Sequence, residues 1–434
     1  MSRTETLNQA LLAFIDQCPD AYHTTQAVCD TLKEQGYTYL TEQEEWNLEK
    51  GGRYVVTRNG SSLIAFRVPK AEVSGFMMTA AHSDSPCLKL KPDCLLFENG
   101  YLKLNTEKYG GMIPESWMDR PLSIAGRVLL ETKDGITPRL VQINRPLLVI
   151  PSLAIHMQSQ EKAPLNPQVD LLPLFGQADQ AGDMFDFLAE ELQLPAEEIL
   201  DADLFLYPCT PGCIWGKNNE FLSAPRLDDL QCVFGTLQGF LGESHPLSLP
   251  VYCVFDNEEV GSSTKQGAKS TFLSDVLSRI CHSLGIGQSQ MLASSMMLSC
   301  DNAHAIHPNH PEKADPKLRP RMNGGVVIKY NANQKYTTDA VSGALFRKIC
   351  KERNIPIQVY ANRSDLPGGS TLGNLSCEKV SVNTIDIGLA QLAMHSAWET
   401  AGAEDTLHLA DAVRAFYQTA ITLTPDGSYL LDFV

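Results

Sequence analysis

Apolar positions near the N-terminus recur at helical spacing. Leu7, Leu11, Phe14 and Ile15 share one face, and Ala27, Val28 and Leu32 continue the pattern, which predicts two amphipathic helices packed on a sheet. The period then shortens. Arg53 to Val56, Ser62 to Val68 and Gly75 to Ala81 read as strands, the last an apolar run that stops at His82. After Arg226, strand and helix alternate: a helix carrying Leu230, Val233, Phe234, Leu237 and Leu241 precedes a strand from Pro250 to Phe255. Further strands follow at Met296 to Ser299, Val326 to Tyr330 and Val380 to Ile387, with a closing helix through Leu409, Val413, Phe416 and Ala420. This layout predicts an α/β fold, its sheet covered by helices on both faces.

Between residues 93 and 222 the texture differs. Segments are short and alternating, Gly110-Gly111 marks a turn, and Leu122 to Glu131 and Leu147 to Ile150 are strand-like. The stretch reads as an inserted β-rich domain, which divides the chain into catalytic parts 1–92 and 223–434 around the insert 93–222. Within the insert, Gln158 to Asp170 holds two prolines and little apolar content, which predicts a mobile loop.

Candidate chemistry clusters just after the apolar runs: Ala80-Ala81-His82-Ser83-Asp84, Arg226-Leu227-Asp228-Asp229, Phe255-Asp256-Asn257-Glu258-Glu259, Ser299-Cys300-Asp301 and Ala393-Met394-His395. Open α/β sheets bind ligands beyond the carboxyl ends of their strands, and several of these residues follow predicted strands. Two histidines with several carboxylates suit a pair of zinc ions, with one carboxylate spare to act as a base. Each motif alone has a plainer reading. His82 is then a loop histidine bonded to Asp84, Asp228 a helix cap, and Glu258-Glu259 a solvated acidic turn. Adjacent glutamates project differently from a loop, so one can bind metal while the other takes a proton. Asp84 is placed to accept from the far nitrogen of His82 and fix its tautomer.

Two other motifs carry less. In His304-x-x-His307-Pro308-Asn309-His310, Pro308 and Pro311 forbid the helix that would align histidines three apart, so the run reads as loop with His304 near the site. Gly368 to Gly373 lacks the lysine of a phosphate loop and the Gly-x-Ser-x-Gly pattern, and reads as a wall of the cleft.

The chain of 434 residues carries 35 basic and 51 acidic residues, a formal charge of -16, which argues against nucleic acid or an anionic membrane as partner. No apolar segment reaches the length of a membrane span, and the start lacks the basic and apolar regions of a signal peptide, so a cytoplasmic protein is expected. Twelve cysteines occur without a Cys-x-x-Cys pair, and Cys209-Thr-Pro-Gly-Cys213 would need further ligands to hold zinc; free buried thiols are expected.

These motifs, in this order over nearly the whole chain, resemble the aspartyl aminopeptidases, co-catalytic zinc exopeptidases. The resemblance rests on Ala81-His-Ser-Asp-Ser-Pro86, Tyr109-Gly-Gly111, Trp117-x-Asp-Arg120, Leu122-Ser-x-Ala-Gly-Arg127 and Ala224-Pro-Arg-Leu-Asp-Asp229. It continues through Asp256-Asn-Glu-Glu-Val-Gly-Ser262, Asp301-x-Ala-His-Ala-x-His-Pro-Asn309, Lys329-x-Asn-Ala-Asn-Gln334, Tyr336 and Met394-His-Ser396. It implies a mixed-sheet zinc-peptidase domain with an inserted dimerisation domain, and two Zn2+ per subunit, with Co2+ or Mn2+ as possible substitutes. Asp228 would bridge the ions, one completed by His82 and Asp301 and the other by Glu259 and His395. Glu258 would be the general base and Asp84 would orient His82. Lys329, His304 and Tyr336 would contact the substrate, a peptide with an N-terminal Asp or Glu. Dimers would assemble into a tetrahedral dodecamer, with His156 reaching the neighbouring subunit's site.

Departures at Tyr207 to Gly212, Ile113-Pro114 and Trp398 bear on substrate preference and leave every implied ligand in place. Two other functions suit the same residues: a di-zinc deacylase or dipeptidase, and an inactive self-assembling shell protein. Free-amine against N-acetylated substrates separates the first, and metal content the second.

Overall fold

The computed structural model describes residues 2–158, 164–177, 182–366 and 368–434. Helices Arg3–Gln17 and Ala21–Glu34 form where the spacing predicts them. Their first turns are held by Ser2, which accepts from the Glu5 N–H, and by Asp20, which accepts from the N–H groups of Tyr22 and His23. Both lie against the core beneath a mixed sheet of nine strands among the described residues.

That sheet runs in the order Thr38–Leu40, Arg53–Arg58, Ser62–Arg67, Ser248–Phe255, Gly75–His82, Met296–Cys300, Asn383–Gly388, Val326–Tyr330 and Ile357–Ala361. Gly75–His82 is flanked by parallel strands on both sides. Its residues alternate between two cores. Met77 packs with Leu11, Leu230 and Phe416 on one face, while Phe76 and Met78 pack with Phe272, Leu277 and Ile280 on the other. Burial on both faces explains why these strands read as continuous apolar runs. Full burial of one such side chain stabilises the fold by roughly 1.5–3 kcal/mol.

Register decides what the strands deliver. His82 pairs with Phe255, and Ser299 pairs with Ala80, so three parallel strands end level with one another. His82, the turn from Asp256 to Glu259, and Asp301 therefore emerge side by side at one edge of the sheet, as the topology of open α/β sheets favours.

A second, antiparallel sheet has the order Gly135–Gln142, Leu122–Thr132, Ile199–Pro208, Cys87–Glu98, Tyr101–Tyr109, Leu174–Gln177 and its own core around Leu104, Trp117, Ile124 and Leu206. A third joins Cys213–Trp215, Phe221–Ala224, Glu399–Gly402, Ala390–Leu392 and Ala303–His304. Among the described residues no helix is long and apolar enough to cross a membrane. All twelve cysteines are free, most of them buried, and Cys213 is exposed.

Several elements differ from the pattern reading. Leu147 to Ile150 is not a strand: only Leu148 and Val149 make isolated bridges, to Leu122 and Leu174. The strand predicted from Val380 starts at Asn383 because a turn occupies the preceding residues. Ala420 is outside the closing helix, which ends at Tyr417. It lies in a strand, Thr419–Leu423, paired with Tyr429–Phe433, where β-branched residues favour extended backbone over another helical turn. The segment Gln158 to Asp170 ends in one helical turn, Pro167–Asp170, capped by Asn166, and residues 159–163 lie outside the described residues.

Gly388, where the strand meets the Asp301 loop, has no room for a side chain, since a Cβ there would stand 1.8 Å from the Asp301 carbonyl oxygen. Gly388→Ala should therefore destabilise the protein by about 1–3 kcal/mol through overpacking. Gly369→Ala, where nothing lies within 4 Å of the added carbon, is the control. Thermal melts check this, and equal melting temperatures for the two variants would refute the close approach.

Candidate metal centre

His82 ends its strand with the imidazole wholly buried. Its Nδ1 stands 3.0 Å from the Asp84 backbone oxygen and 3.4 Å from Asp84 Oδ1, and its Nε2 stands 3.5 Å from Asp228 Oδ1. The contact to the peptide oxygen is the shorter, so the backbone of Asp84 fixes the tautomer more directly than its carboxylate does. That carboxylate is otherwise engaged. It accepts from the Tyr109 hydroxyl at 2.6 Å and from the N–H groups of Glu258 and Glu259, each at 3.1 Å. Asp84 thus anchors the short 3-10 turn Glu258–Val260 that carries both glutamates.

Asp228 is not a helix cap. It lies in the first turn of Leu227–Phe240 with non-helical φ and ψ, after Arg226 in the left-handed region, and the Asp228-Asp229 peptide is cis. Its two oxygens divide between two histidines: Oδ1 faces His82, and Oδ2 lies 3.5 Å from His395 Nε2. His395 Nε2 is also 3.5 Å from Glu259 Oε1, while its Nδ1 stands 2.8 Å from the Gly111 oxygen. Asp301 completes a cluster with His82, Asp228 and Asp229 whose ligand atoms lie within 4.8 Å of one another, and Asp228, Glu259 and His395 form another.

The donor set fits metal. Atoms sharing a tetrahedral zinc at about 2.0–2.1 Å stand about 3.3–3.4 Å apart, close to the 3.5 Å separations at Asp228 and His395. Asp228 Oδ1 is buried without a hydrogen-bond partner. A cation would satisfy it.

Electrostatics lead to the same conclusion. Burial pushes Glu258 up to about 8, with Asp301, Asp84 and Asp228 adding to the shift against His82. Burial likewise raises Glu259, Asp301 and Asp229. Burial opposes the charge on the two histidines, yet the carboxylates around them prevail. His82 rises well above the usual imidazole range and His395 rises to about 10. Asp228 is held below the usual carboxylate range, because the His395 and His82 imidazoles 3.5 Å away outweigh its burial. Without metal, the centre retains protons in place of cations.

A cavity of about 540 Å³ opens onto these groups and is walled by Lys329, His304, Tyr336 and the Gly369 to Thr371 segment. His304 belongs to a two-residue strand, where a loop was expected. Lys329 is 2% exposed, and its ammonium donates to the backbone oxygens of Asp301 at 2.7 Å and Asn302 at 3.2 Å. With Asp84 behind His82 and the glutamate turn, lining a separate cavity, the structure thus gathers His82, Asp228, Glu258, Glu259, Asp301, His395, His304, Lys329 and Tyr336 around one cavity. It does not bring His156 there. That residue is exposed in the turn Ile155–Met157.

Three groups escaped the sequence reading. Asp229 accepts the His82 N–H at 3.1 Å, Tyr109 buttresses Asp84, and Glu399 accepts the N–H groups of both Asp228 and His395. The Asp228-Asp229 pair and the Tyr109 motif were visible as residues. Glu399 follows His395 by four residues, but its second partner, Asp228, meets it only through the third sheet, so sequence alone does not mark it.

An α/β sheet with a carboxylate-histidine basin at its strand ends defines a metallohydrolase scaffold. A family profile described as aminopeptidase I zinc metalloprotease (M18) matches residues 14–417, and the chain belongs to that family of zinc aminopeptidases. It is 44% identical over 421 residues to a "Probable M18 family aminopeptidase 2" of Clostridium acetobutylicum, covering 94% of this chain and 97% of the relative. Among solved structures it resembles one from the Ape4 and Nbr1 complex, with a TM-score of 0.92, 36% identity and coverage of 95% and 86%. It also resembles the mApe1 dodecamer of S. cerevisiae, with a TM-score of 0.85, 27% identity and coverage of 96% and 97%.

The raised groups set a pH dependence for the metal-stripped protein. A folded-state pKa above the unfolded value contributes stability below the unfolded pKa and loses it as pH climbs through the folded one. Asp256, pushed up by burial to about 7, Glu258 at about 8 and His395 at about 10 spread that loss from about pH 4, where ordinary carboxyls titrate, up to about pH 10, so that it is still under way between pH 6 and 9. Chelator-treated protein should melt several degrees lower at pH 9 than at pH 6. A flat or rising profile would contradict the crowding of these groups.

Proposed function

We propose that this enzyme is a dinuclear zinc aminopeptidase that removes acidic N-terminal residues from peptides, working as a homo-oligomer. The observation that carries the reading is Asp228, whose two oxygens each face a different histidine at 3.5 Å. In this reading His82, Asp228 and Asp301 would hold one ion, and Asp228, Glu259 and His395 would hold the other; Co2+ or Mn2+ could substitute. When bound, the zinc pair supplies Lewis-acid polarisation of the scissile carbonyl and acidifies a water molecule.

The protein's own groups do the rest. Glu258, held against the centre by the bond from its N–H to Asp84, takes a proton from the attacking water as the oxygen joins the carbonyl carbon. It then delivers that proton to the departing amine as the C–N bond breaks. Lys329 supplies the positive charge that an acidic first side chain needs in a chain of net charge -16, and His304, held below the usual imidazole range by burial and Lys329, lines the wall beside it with Tyr336 as hydrogen-bonding groups. The insert 93–222 pairs subunits in this reading, and the dimers build a dodecamer in the cytoplasm. Support for pairing comes from Leu153, Ile155 and Met157, which flank His156 in sequence, and from Val169 of the same insert, all large, apolar and more than half exposed. A related protein, mApe1, has been solved as a dodecamer.

Glu258→Gln tests the mechanism: kcat on an aspartyl chromogenic amide should fall about a hundredfold to ten-thousandfold while metal content holds. The parent should favour aspartyl over leucyl and N-acetylated amides. Near-parent rates in the variant would remove Glu258 as base, and cleavage of N-acetylated amides alone would move the enzyme to the deacylases.

His156 acting across the dimer is tested by mixing. His156→Ala and Glu258→Gln subunits are each inactive alone, and a mixed dimer has one complete site. Equal, freely exchanging amounts should therefore restore about a quarter of parent activity, since about half the dimers are mixed. No recovery would leave His156 serving its own chain or nothing.

A further inference from the structure

Glu399 is 1% exposed and opens the strand Glu399–Gly402. It pairs with Ala224 of the strand Phe221–Ala224, four residues before Asp228, and it lies four residues after His395. One oxygen, Oε2, accepts the Asp228 N–H at 2.9 Å, and the other, Oε1, accepts the His395 N–H at 2.6 Å. A single buried carboxylate thus ties together the backbones that carry two candidate ligands.

Both tied segments contain backbone that needs holding. Arg226 has φ 58°, Ala393 φ 57° and His395 φ 67°, all non-glycine residues in the left-handed region. Such a residue is strained and persists only where its surroundings over-determine it. Glu399 accepts one N–H from each segment, one on each oxygen, so a single side chain fixes the spacing of both.

We infer that Glu399 is a positioning residue of the metal centre: it clamps the Asp228 and His395 segments so that their side chains converge on one ion with Glu259. The inference rests on the dinuclear reading above, and it concerns backbone geometry rather than contact with substrate. A glutamine of the same shape offers one acceptor oxygen, so one of the two N–H groups would face an NH2 and be pushed away. The clamp opens on one side, and the distance between Asp228 and His395 is no longer fixed.

The test is metal affinity, measured on chelator-stripped protein by zinc competition against a chromogenic chelator, together with the melting temperature of each stripped variant. Glu399→Gln should weaken one zinc step by about tenfold or more, the usual effect of losing a partner that orients ligands. The other step, through His82 and Asp301, should change less, and the stripped melting temperature should stay near the parent's. Glu399→Asp keeps the charge but draws the oxygens back by one methylene, so it should fall between; it carries the test if Glu399→Gln does not fold. Parent-like affinity in the variants would overturn the clamp, and a lowered stripped melting temperature with intact affinity would make Glu399 a support of the fold. A parent that binds no zinc would overturn the metal centre itself, which is a distinguishable outcome.

Discussion

Mutual repulsion among buried carboxylates is the constraint on which the site depends. Asp228, Asp229 and Asp301 crowd around His82, with candidate ligand atoms within 4.8 Å of one another. Two like charges about 4 Å apart repel by roughly 4 kcal/mol at an effective dielectric of about 20. Few hydrogen bonds of ordinary strength offset that, and the His82 and His395 imidazoles and the Lys329 ammonium offset part of it. The basin therefore retains protons or takes up divalent cations, and the pKa directions of Glu258, Glu259, Asp301 and His395 all express this one need.

The fold meets that constraint by spending rigid elements on it. Three parallel strands ending level deliver His82, the Glu258-Glu259 turn and Asp301, while a helix start and a loop deliver Asp228 and His395. Around them stands a shell of groups that hold backbone in place. Asp84 holds the two glutamate N–H groups, Asp229 holds that of His82, Glu399 holds those of Asp228 and His395, and Lys329 holds the carbonyls of Asp301 and Asn302. Each holder is a buried polar side chain bonded to backbone, so the shape of the centre is set by peptide groups rather than by the ligand side chains alone. Lys329 shows the economy of the arrangement: it lines the cavity and also secures the loop of a candidate ligand.

Much of this was readable along the chain, for identifiable reasons. Strands buried on both faces announce themselves as apolar runs, so Gly75–His82 and Val326–Tyr330 are legible to within a residue, and residues that follow such runs meet at one cavity. Weaker signals failed where local preference competed with spacing. Ala420 continued a helical period yet sits in a strand among β-branched neighbours, and Leu147 to Ile150 had the composition of a strand but found only bridging partners. Glu399 was unreadable for another reason. Its role comes from the pairing of Ala224 with Glu399, which brings together stretches about 175 residues apart in sequence.

The central claim is that Asp228 bridges two zinc ions, and it is tested most directly by diffraction from crystals grown with zinc and measured on either side of the zinc absorption edge. Two anomalous peaks per chain are expected, one among His82, Asp228 and Asp301 and one among Asp228, Glu259 and His395. A single peak, or peaks that leave Asp228 outside the coordination shell, would contradict it.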